Sequence, residues 1–281
     1  MRLFVVGDHH EDHDSLERAV DYISTQNPCL LVHLGDFSHN PYTQAMADEL
    51  KRTGDVHRFL HEKRAYNEAH IRHDRDLLDR SGVPYLVIPG NYDPNLITLF
   101  GQRDMHARAI PVDGVMFAGY GGWMRQPGHI APLVRSGEIV PYDERELFRT
   151  VVETEPDILL LHGPASGLND RITSGEHVGS KAAAAAIDVV KPYLVLSGHI
   201  HEARGVTVAN RANGGVTVAV NPGNVGVVNP EPHRRTFAGI ETDENGRAMN
   251  VTLYYLTEKG VRPGETTDLS NVYTRNGSLA N

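Results

Sequence analysis

The amino-acid sequence predicts an α/β protein in which one domain is built on two β-sheets. Short apolar runs at 3–6, 30–34, 85–88, 115–120, 158–161 and 193–196 alternate with helix-favouring segments. That alternation is the pattern of parallel βαβ units whose sheet is covered on both faces. Beyond residue 196 the pattern changes to β only, at 205–209, 215–220, 236–241 and 249–256. Neither an internal repeat nor a linker divides the chain, so a single domain over 1–257 with a polar tail at 258–281 is the economical reading.

The elements follow in order from local signals. Asp14, with Glu17 three residues on, suits the N-cap of a first helix that ends before Pro28. Residues 42–80 are polar and helix-favouring, with Leu60, Ile71 and Leu78 on a roughly common face and Gly54 as a break. This stretch reads as a helical insertion, partly solvated. Pro89-Gly90 ends the third strand. After 115–120 come Gly121-Gly122-Trp123 and an irregular segment rich in Gly and Pro up to Tyr142. Asp143 caps a helix that stops before Pro156, 163–179 is a loop, and 181–190 is an alanine-rich helix.

Composition narrows the function classes. Of 281 residues, 40% are hydrophobic and 22% charged, enough for a sizeable core. A formal net charge of −9 without clustered Lys or Arg argues against stable nucleic-acid binding through phosphates. It leaves a small phosphorylated substrate open, a nucleotide included, because bound metals supply positive charge locally. The single cysteine, Cys29, excludes an internal disulfide and any Cys-based metal motif, and is expected to be a buried inert thiol. The N-terminal apolar run is too short for a signal segment, and no stretch approaches membrane-spanning length, so a cytoplasmic protein with no membrane partner is expected. A homo-oligomer is allowed.

Five motifs sit where strands run out: Asp8-His9-His10, Gly35-Asp36, Gly90-Asn91-Tyr92-Asp93, His162-Gly163 and Gly198-His199-Ile200-His201. Alone, each is weak: Gly-Asp commonly marks a turn, and the chain has 16 histidines to scatter. Together they place oxygen and imidazole donors at five strand ends, as a two-metal hydrolytic site requires. Two ions about 3.5–4 Å apart need a bridging ligand, and the two oxygens of Asp36 suit that role. Asp8, His10 and His201 then serve the first ion, and Asn91, His162 and His199 the second. Such mixed donors suit Mn, Fe, Zn, Ni or Co without choosing among them; Mn is taken as the working assignment.

These residues resemble the calcineurin-like metallophosphoesterase superfamily, whose Asp-x-His, Gly-Asp, Gly-Asn-His-Asp/Glu, His and Gly-His-x-His pattern is matched from Asp8 to His201. A closer likeness lies in His162-Gly163-Pro164, Gly175-Glu176-His177-Val178-Gly179 and Gly198-His199-Ile200-His201-Glu202-Ala203. That spelling is similar to the metallophosphoesterase-domain subgroup of brain-expressed animal proteins and their bacterial relatives. Asn221-Pro222-Gly223 is similar to the family's closing turn. The resemblance implies a four-layer αββα sandwich of two mixed sheets flanked by helices, a binuclear centre, and hydrolysis of phosphomono- or phosphodiesters. Hydrolysis would proceed by in-line attack of a metal-bridging hydroxide, with Asp36, Asn91 and His162 closest to the chemistry. The family's general-acid His is replaced here by Tyr92, followed by Asp93. A phenol of pKa near 10 is a poorer acid than an imidazolium near 6.5, so diesters with good leaving groups are the expected substrates. Phosphomonoesters are the close alternative, and a scaffold protein with a weakened site is a reading from another class.

Several residues carry two readings. Tyr92 either packs or contacts substrate. His9 and His13 either replace the missing acid or lie in a polar surface loop. His33 fits a satisfied core histidine. His39 and Asn40 approach substrate or form a turn. His177, near Arg171, contacts phosphate or orders its loop, and Trp123 walls the pocket or packs.

Overall fold

Two six-stranded sheets stack face to face in a computed structural model, which describes residues 1–124, 131–210, 215–226 and 235–273. The first part of the chain runs β1 (Arg2–Val6), α1 (His13–Ser24), β2 (Leu30–His33), α2 (Gln44–Thr53), α3 (Val56–Arg80), β3 (Tyr85–Val87) and α4 (Ile97–Phe100). Next come β4 (Arg108–Val112), β5 (Val115–Tyr120), α5 (Ala131–Ser136), α6 (Glu144–Thr154), β6 (Ile158–Leu161), α7 (Lys181–Val190) and β7 (Leu194–Ser197). The rest is β: β8 (Gly205–Asn210), β9 (Val216–Asn221), β10 (Thr236–Thr242), β11 (Ala248–Thr257) and β12 (Gly260–Asp268).

The first sheet has the order β12-β11-β10-β1-β2-β3 and the second β4-β5-β6-β7-β9-β8. In the first, β1, β2 and β3 are parallel; in the second, β5, β6, β7 and β9 are. Antiparallel strands complete both sheets, so each is mixed. Strand alternation separates three apolar layers. Leu3 and Val5 of β1 join Phe117, Ile158, Leu160 and Leu194 between the sheets. Phe4 and Val6 face outward, against Leu16, Ala19 and Ile23 of α1 and Ile71 and Leu78 of α3. On the far side, Leu159 and Leu161 pack on α6 and α7 through Leu147, Val151, Ala183 and Ile187. Helices, sheet, sheet and helices make the four layers.

Four expectations need correction. The first N-cap is Asp12, whose side chain accepts from Ser15 N at 3.1 Å, not Asp14. Cys29 is exposed, because it lies just ahead of β2, where the strand has not yet entered the core. Residues 258–268 are not a tail: β12 pairs with β11 through the tight Thr257–Gly260 turn, and Leu269 after it is buried. Polar composition here marks an edge strand rather than a loose end. Residues 274–281 lie outside those described, as do 125–130 of the Gly- and Pro-rich segment. Finally, 42–80 is helical but only partly an insertion. The C-terminal part of α3 is the β2–β3 crossover, burying Ile71, Leu77 and Leu78, while Met46 and Phe59 of the α2–α3 hairpin form a separate small cluster with Leu133 and Ile139. Gly54 caps α2 in the left-handed conformation at φ 70°.

Besides β12, three elements escaped sequence reasoning: β4, an edge strand carrying Pro111, and the short helices α4 and α5. Periodicity is a poor guide to all three, since an edge strand is half-solvated and helices of four and six residues make under two turns.

Candidate metal centre

The carboxyl ends of β1, β2, β3, β6 and β7 meet on one edge of the sandwich, and each releases its chain into a turn bearing one motif. Open α/β sheets place ligand sites there because the side chains beyond the strand ends converge without disturbing the ladder. Close approach of the turns demands glycine. Gly35 has φ +93°, and a Cβ on Gly90 would lie 2.0 Å from Asp36 Oδ1. Asp8, His10, Asp36 and His199 themselves have φ between 48° and 64°, a left-handed conformation that ordinary residues adopt at a cost. Seven other described non-glycine residues share positive φ, so this conformation shapes the motif loops without singling them out.

All seven predicted donors come together. Asp8, His10 and His201 form one group and Asp36, His162 and His199 a second, with the donor atoms of each group within 4.8 Å of one another. Asp36 stands between them: its Oδ2 lies 3.7 Å from His10 Nε2 and its Oδ1 3.4 Å from His162 Nε2. Asn91 Oδ1 is 3.0 Å from His162 Nε2, and its site also lies 3.1 Å from His199 Nδ1 and 3.2 Å from both Asp36 oxygens. This knot of lone pairs is satisfied by a cation or by the opposite amide rotamer, with its N–H groups turned inward. His10 Nε2 is buried with no hydrogen-bond partner, an orphan that a metal ion also satisfies. The donor set therefore fits divalent ions on the structure's own terms.

Neighbours orient the imidazoles. His162 Nδ1 donates to Leu34 O at 2.8 Å, which directs Nε2 toward Asp36. His10 Nδ1 faces Ser38 O at 3.3 Å, and Trp123, buried, lies against the His199 ring at 4.6 Å, a position that suits both packing and walling the site. Asn221, at the end of β9, donates from Nδ2 to Ile200 O at 2.9 Å and ties down the loop carrying both late histidines.

Electrostatics ready His10 and His199 to coordinate, whereas against the opposing effect of burial the charges of Asp36 and Asp8 raise His162 and the Asp8 hydrogen bond raises His201. Burial pushes His10 down to about 4 and His199 to about 3, so both imidazoles are neutral. Burial opposes ionisation of Asp8, but the His201 hydrogen bond, with the charges of His201, His162 and His10, holds its carboxyl well below the usual range. Burial raises Asp36, with Asp8 and Asp93 adding repulsion against the pull of His162. Two carboxylates buried this close are an arrangement that positive charge between them relieves.

At the acid position the structure settles what Asp93 does. Its Oδ2 accepts from Phe37 N and Gly90 N, and its Oδ1 from Ser38 N, at 2.7–3.1 Å. It stitches two motif turns together instead of orienting a proton donor. Tyr92 packs beside the Met46–Phe59 cluster, and burial together with the Asp36 charge raises its phenol above the usual value.

His9 overturns the surface reading: it is fully buried. Gly35 N–H donates to His33 Nδ1 at 3.2 Å, so neutral His33 carries its proton on Nε2 and donates to His9 Nδ1, also at 3.2 Å. His9 Nε2–H must then donate to Asp74 Oδ2 at 3.0 Å. Asp74, on α3, also binds His13 Nδ1 at 2.6 Å. His9, His13 and Asp74 have metal-like spacing, but with the Nε2 lone pair of His9 capped by a proton they form a hydrogen-bonded chain. The chain links the turn bearing Asp8 and His10 to the one bearing Asp36. His33 is the satisfied core histidine expected of it, whereas nothing in the sequence paired Asp74 with His9 across 65 positions. His39 and Asn40 are exposed.

The sequence model of the calcineurin-like phosphoesterase family matches residues 1–203. No curated protein matches the chain. Among solved structures, a dimetal phosphatase from Danio rerio is 12% identical, with a TM-score of 0.56 over 95% of this chain and 98% of that one. The protein TT1561 of Thermus thermophilus is 15% identical, with a TM-score of 0.55 over 94% and 98%. GAP50, described as the anchor in the inner membrane complex of Plasmodium, is 12% identical, with a TM-score of 0.52 over 95% and 88%. At these identities the structural likenesses speak for the fold.

Proposed function

We propose, from the premise that this chain belongs to the calcineurin-like phosphoesterase family, that it is a binuclear metal-dependent hydrolase of phosphodiesters. The observation that carries this reading is Asp36, whose two oxygens face the two separate donor groups. Asp8, His10 and His201 would hold one ion, Asn91, His162 and His199 the other, and Asp36 both. Two such ions lower the pKa of a water and neutralise charge developing on the phosphoryl oxygens. The chain's own part is positioning: Leu34 O aims His162, Asn221 restrains the His199–His201 loop, and the His33–His9–Asp74 chain holds the first two turns in register.

The diester preference rests on what the acid position lacks. The phenol of Tyr92 is a poorer acid than an imidazolium, and Asp93 is occupied by three backbone N–H groups. Departing oxygens must therefore leave largely unassisted, which favours aryl or strained cyclic diesters. Manganese as the native metal and a small phosphorylated substrate in the cytoplasm complete the reading. The mixed oxygen and imidazole donors suit manganese without selecting it over Fe, Zn, Ni or Co, and the free thiol of Cys29 is consistent with a reducing compartment.

Mn-loaded protein should hydrolyse bis-p-nitrophenyl phosphate faster than p-nitrophenyl phosphate, and Asp36→Asn should lose both metal and turnover. An Asp36→Asn protein that keeps two ions and full activity would refute the bridge. The reverse substrate preference would make the enzyme a phosphomonoesterase, and a metal-loaded protein inert to both esters would favour a scaffold.

A further inference from the structure

Beside the metal centre lies a cavity of about 720 Å³ whose lining includes the ligand candidate His201 together with Asp170, Arg171, His177, Glu202 and Arg204. Its wall is a miniature hairpin in which Arg171 bridges His177, closed by Ile172 N→Glu176 O and Val178 N→Asp170 O. The side chains on it form an ordered series. Buried Asp170 accepts from His177 Nδ1 at 2.6 Å and from Gly179 N at 3.1 Å. With its proton on Nδ1, His177 presents a lone pair on Nε2 to Arg171 Nη2 at 3.1 Å. The guanidinium is thus aimed by a neutral acceptor that leaves its charge intact. Among the described residues no carboxylate forms an ion pair with Arg171 or Arg204. Glu202 is held by Thr173 N and Oγ1, and Asp170 spends both oxygens inside the hairpin.

An arginine held by a histidine and not directly paired with a carboxylate, at the wall of a cavity that reaches a metal-ligand candidate, has the chemistry to recognise an anion. We propose that this cavity is a subsite for a second anionic group, a carboxylate or phosphate carried by the substrate beyond the scissile phosphorus, with Arg171 as the residue that selects it. The inference rests on the phosphoesterase reading for the first phosphate. It adds a substrate class: phosphoesters with two anionic ends. Asp170 and His177 are positioning residues that act through Arg171.

The test is a binding comparison on the Mn-loaded protein by isothermal titration with hexylphosphonate, 6-phosphonohexanoate and hexane-1,6-diphosphonate. The three share a head and a chain and differ in the tail: none, carboxylate or phosphonate. A charge-assisted hydrogen bond predicts an advantage of about tenfold or more for the anionic tails. Arg171→Met should erase that advantage, Arg171→Lys should keep part of it, and Asp170→Asn should reduce it by loosening the guanidinium. Which anionic tail gains more identifies the natural group. Equal affinities for all three ligands, no binding of any, or an advantage that survives Arg171→Met would overturn the proposal. Turnover is not needed for this readout. A protein that hydrolyses no ester yet keeps the Arg171-dependent advantage loses the hydrolase reading and keeps the subsite; the opposite result does the reverse.

Discussion

Replacing Gly198 by alanine should weaken one metal site and spare the fold. A Cβ at this position would lie 2.4 Å from Asp8 Oδ2, while the next nearest atoms, Asp8 Cγ and His162 O, are at 3.5 and 3.7 Å. The collision is therefore with one carboxylate oxygen and nothing else. A relaxed C···O contact of about 3.3 Å requires that oxygen to retreat by roughly 0.9 Å. Metal–ligand distances tolerate about 0.2 Å, so the carboxylate is displaced from any shared ion. Loss of supporting contacts around a metal typically costs about 10–100-fold in affinity, and a displaced ligand belongs at the upper end, about 100-fold or 2.8 kcal/mol. Stepwise Mn titration of metal-free protein should show one affinity lowered by that factor and the other nearly unchanged. Metal-free Gly198→Ala should stay within about 1 kcal/mol of the parent, roughly 3 °C in Tm. Unaltered affinity at both sites would refute the placement of Asp8 as a ligand. Equal loss at both would refute its assignment to one group.

Asp74→Ala should leave the N–H groups of His9 and His13 unpaired, costing about 1–3 kcal/mol in denaturant unfolding and about tenfold in metal affinity; an unchanged metal affinity would mean that the chain only supports the fold. Asp104, buried and pushed up to about 6, titrates with the opposite sign to a salt-bridged acid: its folded pKa exceeds the ordinary carboxyl value of 3.8, so its contribution is full below about pH 4 and is lost as pH rises through 6. Asp104→Asn should therefore stabilise the protein by about 1–3 kcal/mol at pH 7.5 and by little at pH 4, and an equal gain at both would exclude titration as the cause. Tyr92→His should raise kcat/KM for an alkyl diester relative to its p-nitrophenyl counterpart by less than about tenfold, because Asp93 is not free to orient a new imidazole; a gain of about 10²–10⁴ would show that it is.

What could be read in the sequence was what periodicity and motif order encode. The βαβ alternation and the all-β end placed ten of the strands to within a residue or so, since buried strands are continuous apolar runs. Glycines beside Asp, Asn and His located the turns, and the structure brings those seven donors together. The misses share a physical cause: they depend on contacts between segments far apart in the chain. β12 looks like a tail because an edge strand needs no apolar face. Asp74 looks like one more acid on a polar helix until α3 is laid across the β1 loop. Asp93 looks like half of an acid pair until the two turns it stitches are in place. The Arg171–His177–Asp170 series is local in sequence, yet its meaning depends on the cavity that only the folded loop encloses.

The central claim, a two-ion hydrolytic centre, is tested most directly by titrating metal-free protein with Mn while following bound metal and hydrolysis of bis-p-nitrophenyl phosphate together. The account predicts saturation at two ions per chain, with hydrolysis appearing as the second ion binds. Saturation at one ion, or full loading with no hydrolysis of diester or monoester, would contradict it.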